Sequence, residues 1–258
     1  MRHALNAEWT KLRTLPGTSW LLLAAAALTV AVSASAAAAT SCPAGHCAED
    51  PAKISLTGIY LGQAVVAVVA VTVISGEYGT GMMRLTLAAM PGRISVLAAK
   101  AAVLTGLVLV TGTVAVAAAL LAGRLILPGH GIGPAEGYSA LSVTDGPVLR
   151  AAAGSVLYLA LIALLSLGAA AAVRESAAAI GVVLGLLYLF PIIAAVAGSP
   201  DLARHLQQIG PMTAGLAIQA TTSLSSLPIS PWAGLGVLAA WAAGALLVGG
   251  LLFRLRDA

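Results

Sequence analysis

The sequence predicts an all-α integral membrane protein with six transmembrane helices. Three observations carry that prediction. Hydrophobic residues make up 60% of the 258 positions and charged residues only 9%, against about 25% charged in a soluble domain. The mean hydropathy is +1.00, so lipid must be the solvent for most of the surface. The apolar residues fall into long unbroken runs rich in Ala and Leu. Only helices and closed barrels satisfy their backbone groups internally in lipid. Barrel strands alternate polar and apolar residues over about ten positions. These runs do not alternate, and 4% aromatic content would leave thin girdles.

A crossing needs about 20 apolar residues. Candidate spans cover 19–39, 54–74, 101–123, 151–173, 176–198 and 231–253, arranged in one domain over 1–258. The first run also fits a secretory signal, with Arg2, Lys11 and Arg13 before an apolar stretch and Ala34-Ser35-Ala36 as a small-residue cleavage site. Its uncharged stretch continues to Ala48, so a retained span is expected. Gly58-x-x-x-Gly62 and Gly181-x-x-x-Gly185 permit close helix approach. Pro191 can kink the fifth span by deleting a backbone hydrogen bond.

Six spans put both termini on one side. With the termini cytoplasmic, Arg2, Lys11, Arg13, Arg84, Arg93, Lys100, Arg174, Arg254 and Arg256 lie inside, and Lys53, Arg124, Arg150 and Arg204 lie outside. Inside placement of the larger basic group sets the expected orientation. The same scatter argues against nucleic-acid binding, because no basic stripe with interleaved aromatics occurs.

The outer loops hold little chemistry. Cys42 and Cys47 flank Pro-Ala-Gly-His. On an oxidising face they could close a small disulfide ring or remain free thiols. His46 does not complete a closed metal site without a fourth ligand, and no metal is expected. Residues 124–150 form a Gly- and Pro-rich loop. Its Gly-His-Gly-Ile-Gly-Pro lacks the Lys-Ser/Thr and the strand–turn–helix frame of a phosphate loop. His130 reads as a loop residue and Asp145 as a turn residue before span four. Residues 200–209 fit a short amphipathic helix, with Ser199 as cap and Pro200 at its first position. The uncharged Ser/Thr/Pro-rich stretch 211–230 is too polar for a seventh span, and leaves open a re-entrant piece packed on protein.

No enzyme constellation is present. The histidines at 3, 46, 130 and 205 are scattered, no charge sits midway along a span, and no Walker motif occurs. The absence of intramembrane charges argues against a proton-coupled transporter. The chain is therefore expected to be non-catalytic and to bind no cofactor itself.

Residues 75–100 stand out as a cytoplasmic interruption between spans two and three. Glu77 sits at the apolar end of span two. Thr80 can cap a short helix over 81–90, whose Met82, Met83, Leu85 and Leu87 are too apolar for a solvated loop. Pro91-Gly92 would stop that helix, and Arg93 and Lys100 flank span three.

The stretch GEYGTGMMRLTLAAMPGRISVLAAKAAV resembles the segment joining the second and third helices of bacterial ABC-2 type transporter permeases. Glu77, Tyr78, Thr80, Gly81, Arg84, Thr86, Leu87, Pro91, Arg93 and Lys100 match. TDGPVLRA at 144–151, RESAAAI at 174–180, LSSLPISPWAGLGVLAAWAA at 224–243 and RLRDA at 254–258 extend the resemblance over most of the chain. The two cysteines depart from the family's first loop, and Gly92 stands where a second basic residue is common. The resemblance implies a permease subunit of an ABC exporter in the bacterial plasma (inner) membrane, moving a hydrophobic or amphiphilic compound. It implies a second permease copy, identical or not, and a separate cytoplasmic ATPase that holds ATP and Mg. Residues 81–90 would be the coupling helix. Glu77, Tyr78, Thr80, Gly81, Met82, Met83, Arg84, Leu87, Pro91 and Arg93 would carry the ATPase contact. The competing expectation is a non-transporting membrane scaffold, sensor or immunity protein built on the same six helices.

Overall fold

A computed structural model describes residues 10, 16–42, 50–79, 81–82, 92–132, 141–142 and 145–255. Among these, helices run α1 (Pro16–Ala39), α2 (Pro51–Ser55), α3 (Ile59–Gly79), α4 (Arg93–Ile126), α5 (Gly146–Val173), α6 (Ser176–Val196), α7 (Pro200–Ile209), α8 (Pro211–Leu216) and α9 (Pro231–Leu255). No strand occurs among the described residues. α1, α3, α4, α5, α6 and α9 are long and apolar enough to cross a membrane. The chain is an all-α, multi-pass membrane protein. Successive spans alternate in direction, which gives the bundle two ends. The Glu77 face carries the end of α3, the start of α4 and the α5–α6 turn. The Asp50 face carries α2, the end of α4 and the start of α5.

Several boundaries differ from the sequence reading, most of all around the second and third spans. The second run divides into α2 and α3, separated by a turn at 56–58. α3 then continues through Glu77 and Tyr78 to Gly79, and α4 begins at Arg93 rather than at 101. The polar residues at this end stay helical because they find partners within the bundle, as described below.

α5 is the central helix. It packs on α3, α4, α6 and α9, and Tyr158, Ile162, Leu165 and Leu167 are all buried along it. Lipid tails are as apolar as leucine, so close backbone approach rather than hydrophobic exclusion must hold helices together. α5 and α9 cross at Gly168 and Gly249, where a Cβ on either would strike the other helix's backbone. α1 and α3 cross at Gly58 and Gly62, whose missing side chains admit Thr29. The Gly58 N–H donates to Ser33 Oγ at 3.0 Å across the same crossing. The second spaced pair, Gly181 and Gly185, has nothing within 4 Å of either Cβ position. It faces away from the bundle.

Residues 200–220 form a re-entrant hairpin. α7 descends from the end of α6 until Gly210 lies beside Phe190. The Trp241 indole, ten residues inside α9, donates to the Ile209 carbonyl at 2.9 Å. Phe190 is six residues before the end of α6, so the tip lies about 9 Å inside at 1.5 Å per residue. α8 and a 3₁₀ turn (Ala217–Gln219) then climb back along α5. Gly215 meets Tyr158 and Ile218 fills the space left by Gly154. Gln219 donates to Ser155 Oγ at 3.3 Å, and Arg150 donates to the Ala220 carbonyl at 2.6 Å. Residues 211, 212, 214–216 and 218–220 are buried. The non-spanning backbone is thus shielded by protein, the condition on which lipid tolerates it. Ser199 does occupy the cap position of α7, but its hydroxyl makes no capping bond.

Asp50 ties this hairpin to the first loop. Its carboxylate caps α2 by accepting from Ala52 N and Lys53 N at 3.1 and 3.3 Å. It also accepts from Thr221 N, Thr221 Oγ1 and Thr222 N. Cys42 closes the same end by donating its N–H to the His130 carbonyl at 2.9 Å. Gly131, at φ +78, packs directly against the Cys42 carbonyl, a conformation and an approach that a side chain would block. Cys42 is disulfide-bonded; Cys47, the other cysteine of the sequence, lies outside the described residues.

The two glycine pairs should respond oppositely to added bulk. Gly58→Leu drives a side chain into the Thr29 carbonyl, an overpacking cost of about 2 kcal/mol. Gly181→Leu meets open space and leaves thermal unfolding of the detergent-purified monomer unchanged. Equal shifts in the two unfolding curves would contradict this assignment.

Candidate functional site

The polar residues of the Glu77 face converge on one another. Glu77 lies in the last turn of α3, and Lys100 in the second turn of α4. Lys100 Nζ stands 2.6 Å from Glu77 Oε1. Lys100 is 1% exposed and the Glu77 side chain 12%. Lys100 also reaches the Val73 carbonyl at 3.5 Å. The pair closes the segment between α3 and α4 like a clasp. A lysine buried without a carboxylate would be an uncompensated charge, so each partner requires the other.

Three further contacts surround the clasp. Arg93, in the first turn of α4, donates to the Phe253 carbonyl at 3.1 Å and so meets the otherwise orphaned end of α9. Ser176 donates to Ser75 Oγ at 2.8 Å, joining the start of α6 to α3. The Arg174 guanidinium lies 5.3 Å from the centroid of the Tyr78 ring, within the range of a cation–π contact. Arg174 adopts φ +67 at the end of α5. Such a backbone costs a non-glycine residue of order 1 kcal/mol, and here it lets the chain turn into α6 while the side chain crosses to α3. Glu175 caps α6 by accepting from Ala177 N and Ala178 N.

The sequence-identified residues therefore separate. Glu77, Tyr78 and Arg93 are engaged with other helices. Gly81, at φ +71, and Met82, 44% exposed, project beyond the clasp. Thr80, Met83, Arg84, Leu87 and Pro91 lie outside the described residues, as does most of the expected helix over 81–90. No group of three or more potential metal ligands occurs among the described residues. His130 turns its Nδ1 to the Ile126 carbonyl at 3.1 Å, and His205 is exposed on α7.

Sequence reasoning missed a second polar centre, inside the bundle. Gln63 of α3 is fully buried. Its Oε1 accepts from the Tyr158 hydroxyl. Its Nε2 donates to the Tyr60 carbonyl at 3.2 Å and faces Tyr188 Oη and Met212 Sδ at 3.3 and 3.2 Å. Tyr188 in turn donates to the Tyr60 carbonyl. One amide thus links α3, α5, α6 and the re-entrant α8. The only sequence signal was a lone Gln within an apolar run.

Between α5, α6 and α9 runs an open apolar groove of about 720 Å³. Leu165, Ala169, Leu186, Val237 and Val248 line it, with Trp241 beside them. It has the chemistry of a place for acyl or aromatic groups.

A double-mutant cycle tests the clasp. Lys100→Met or Glu77→Gln alone should each cost about 3 kcal/mol, because each strands a buried partner. The double variant should recover most of that loss in thermal or denaturant unfolding. Additive losses would mean that the two side chains act separately. Glu175 supplies a pH-dependent cap. Its hydrogen bonds from Ala178 and Ala177 lower its pKa below the ordinary 4.5. A lowered carboxylate stabilises above its unfolded value and loses that contribution as pH falls through the folded one. Amide exchange at Ala177 and Ala178 should accelerate as pH drops below that value in the wild type. Glu175→Gln should remove this pH step.

No family model matches the chain, and no curated protein matches it.

Proposed function

We propose that this chain is the membrane subunit of an ATP-driven exporter of the ABC-2 type, seated in a bacterial plasma membrane with both termini in the cytoplasm. It works with a second permease copy and with a separate ATPase that supplies ATP and Mg. The observation that carries this reading is the clasp below residues 80–92. The matching stretch of sequence begins and ends on two helices locked together by Glu77 and Lys100, with Arg93 fastening the second of them to α9. A loop of no consequence needs no such footing, whereas a handle that receives force does.

This footing divides the roles of the candidate residues. Glu77, Tyr78 and Arg93 position the segment, and Gly81, Met82 and the residues to Pro91 meet the ATPase. The sequence count supports the orientation, with nine of the thirteen basic residues expected inside and four outside. The outward-facing Gly181 and Gly185 offer a close-approach surface for the second copy. The apolar groove and the uncharged interior suit a hydrophobic or amphiphilic cargo.

Affinity purification of the tagged chain with the ATPase encoded beside it tests the reading. Met82→Asp should reduce the retained ATPase about tenfold, the equivalent of one exposed apolar contact. Glu77→Gln should retain the ATPase and lower cargo-stimulated ATP hydrolysis. A wild-type chain that recruits no ATPase would sink the exporter reading and leave the scaffold, sensor or immunity role.

A further inference from the structure

A second cavity, of about 330 Å³, opens on the Asp50 face. Its walls come from α2, α3, α6, the re-entrant hairpin and the loop at 227–229. The size is at the lower end of small-molecule sites. Most of the lining is apolar, with Ala195, Leu216 and Ile229 representative. Four polar side chains interrupt it: Lys53 from α2, Tyr60 from the first turn of α3, Gln207 from α7 and Thr213 from α8.

Thr213 is hydrogen-bonded within the hairpin, whereas the other three groups have no such bond among the described residues. Among the described residues, Lys53 makes no ion pair, and neither the Tyr60 hydroxyl nor the Gln207 amide donates to a protein acceptor. The Gln207 backbone is nonetheless fixed, because Thr213 Oγ1 donates to its carbonyl at 3.0 Å. Gln208 next to it donates to the Pro228 carbonyl at 2.8 Å, which holds the covering loop to α7. Among the described residues no carboxylate lines the cavity, and the Asp50 carboxylate accepts from five donors elsewhere. Lys53 is the one charged side chain among the described lining residues, so that lining is positive. The cavity also sits at the first turn of α3 and the last turns of α6.

We propose that this cavity binds an amphiphilic anion. A phosphate or carboxylate headgroup pairs with Lys53 and accepts hydrogen bonds from Tyr60 and Gln207, while a short apolar body lies against α6 and α8. A cation would meet Lys53 unscreened, and a wholly apolar ligand would leave three donors without acceptors. The proposal concerns the face opposite the clasp and does not rest on the exporter reading.

The probe is hexyl phosphate, titrated calorimetrically into the full chain held in nanodiscs of neutral phosphatidylcholine. Hexyl phosphate should bind saturably and at least about tenfold more tightly than inorganic phosphate, since its chain buries several methylene groups. Lys53→Gln, at an exposed position, should weaken it about tenfold through loss of a charge-assisted bond. Ala195→Trp, also at an exposed position, should fill the cavity and abolish binding. Both variants should elute and unfold as the wild type does. Replacing the disc lipid with phosphatidylglycerol separates two sources: competition identifies a lipid headgroup as the occupant, and unchanged binding identifies a soluble amphiphile. Undiminished binding in Ala195→Trp, or hexyl phosphate no tighter than inorganic phosphate, would overturn the site. Because neither readout uses an ATPase, that failure would leave the exporter reading where it stood.

Discussion

Every peptide N–H and C=O in a bilayer must find its partner inside the protein, and the rest of this structure follows from that constraint. Helices meet it along their length but not at their ends. The chain has more ends than six simple spans would give, because α2, α7 and α8 interrupt the Asp50 face. Several of these ends are answered by specific groups, although the starts of α7 and α8 carry no side-chain cap. Asp50 takes the first N–H groups of α2 and those of Thr221 and Thr222 together. Arg150 takes the Ala220 carbonyl and Trp241 the Ile209 carbonyl. At the other end Arg93 takes the Phe253 carbonyl. The few charged and polar side chains are therefore concentrated at helix breaks.

Packing obeys a second consequence of the same solvent. Helices cannot be driven together by excluding water, so they approach until backbones touch. Gly58, Gly168, Gly234 and Gly249 each sit where a Cβ would strike backbone of a neighbouring helix. The sequence could not rank its two Gly-x-x-x-Gly pairs, since spacing alone is identical. One is consumed by the α1–α3 crossing and the other is left on the outside of α6. The difference lies in which face α6 turns toward α5, and that is a tertiary fact.

What was legible in the sequence was whatever depended on length and solvent. Six spans could be counted because twenty apolar residues have few other uses. The re-entrant hairpin was half-visible: Pro200, Gly210-Pro211 and Pro231 mark its corners, while the uncharged residues between them hid its burial. The clasp was invisible. Glu77 and Lys100 both looked like charges stopping at the membrane edge. They became a buried pair only because α3 and α4 each extend past the apolar run and bring the two into one layer. Gln63 was hidden for a related reason. One amide in an apolar helix is unremarkable until Tyr158, Tyr188 and Met212 arrive from three other elements.

The arrangement of these contacts also sets what can move as a unit. Rupturing the Glu77–Lys100 pair would expose a buried ammonium, so α3 and α4 are held to common motion at their shared end. Ser75–Ser176 and Tyr78–Arg174 add the α5–α6 turn through weaker, reversible contacts. Farther along α3, the Gln63 amide engages α5, α6 and the hairpin at once. Any force on the ends of α3 and α4 at Gly79 and Arg93 is therefore shared between the two helices. The Gln63 amide thus ties α3 directly to α8, 3.2 Å from Met212 Sδ, as well as to α5 and α6.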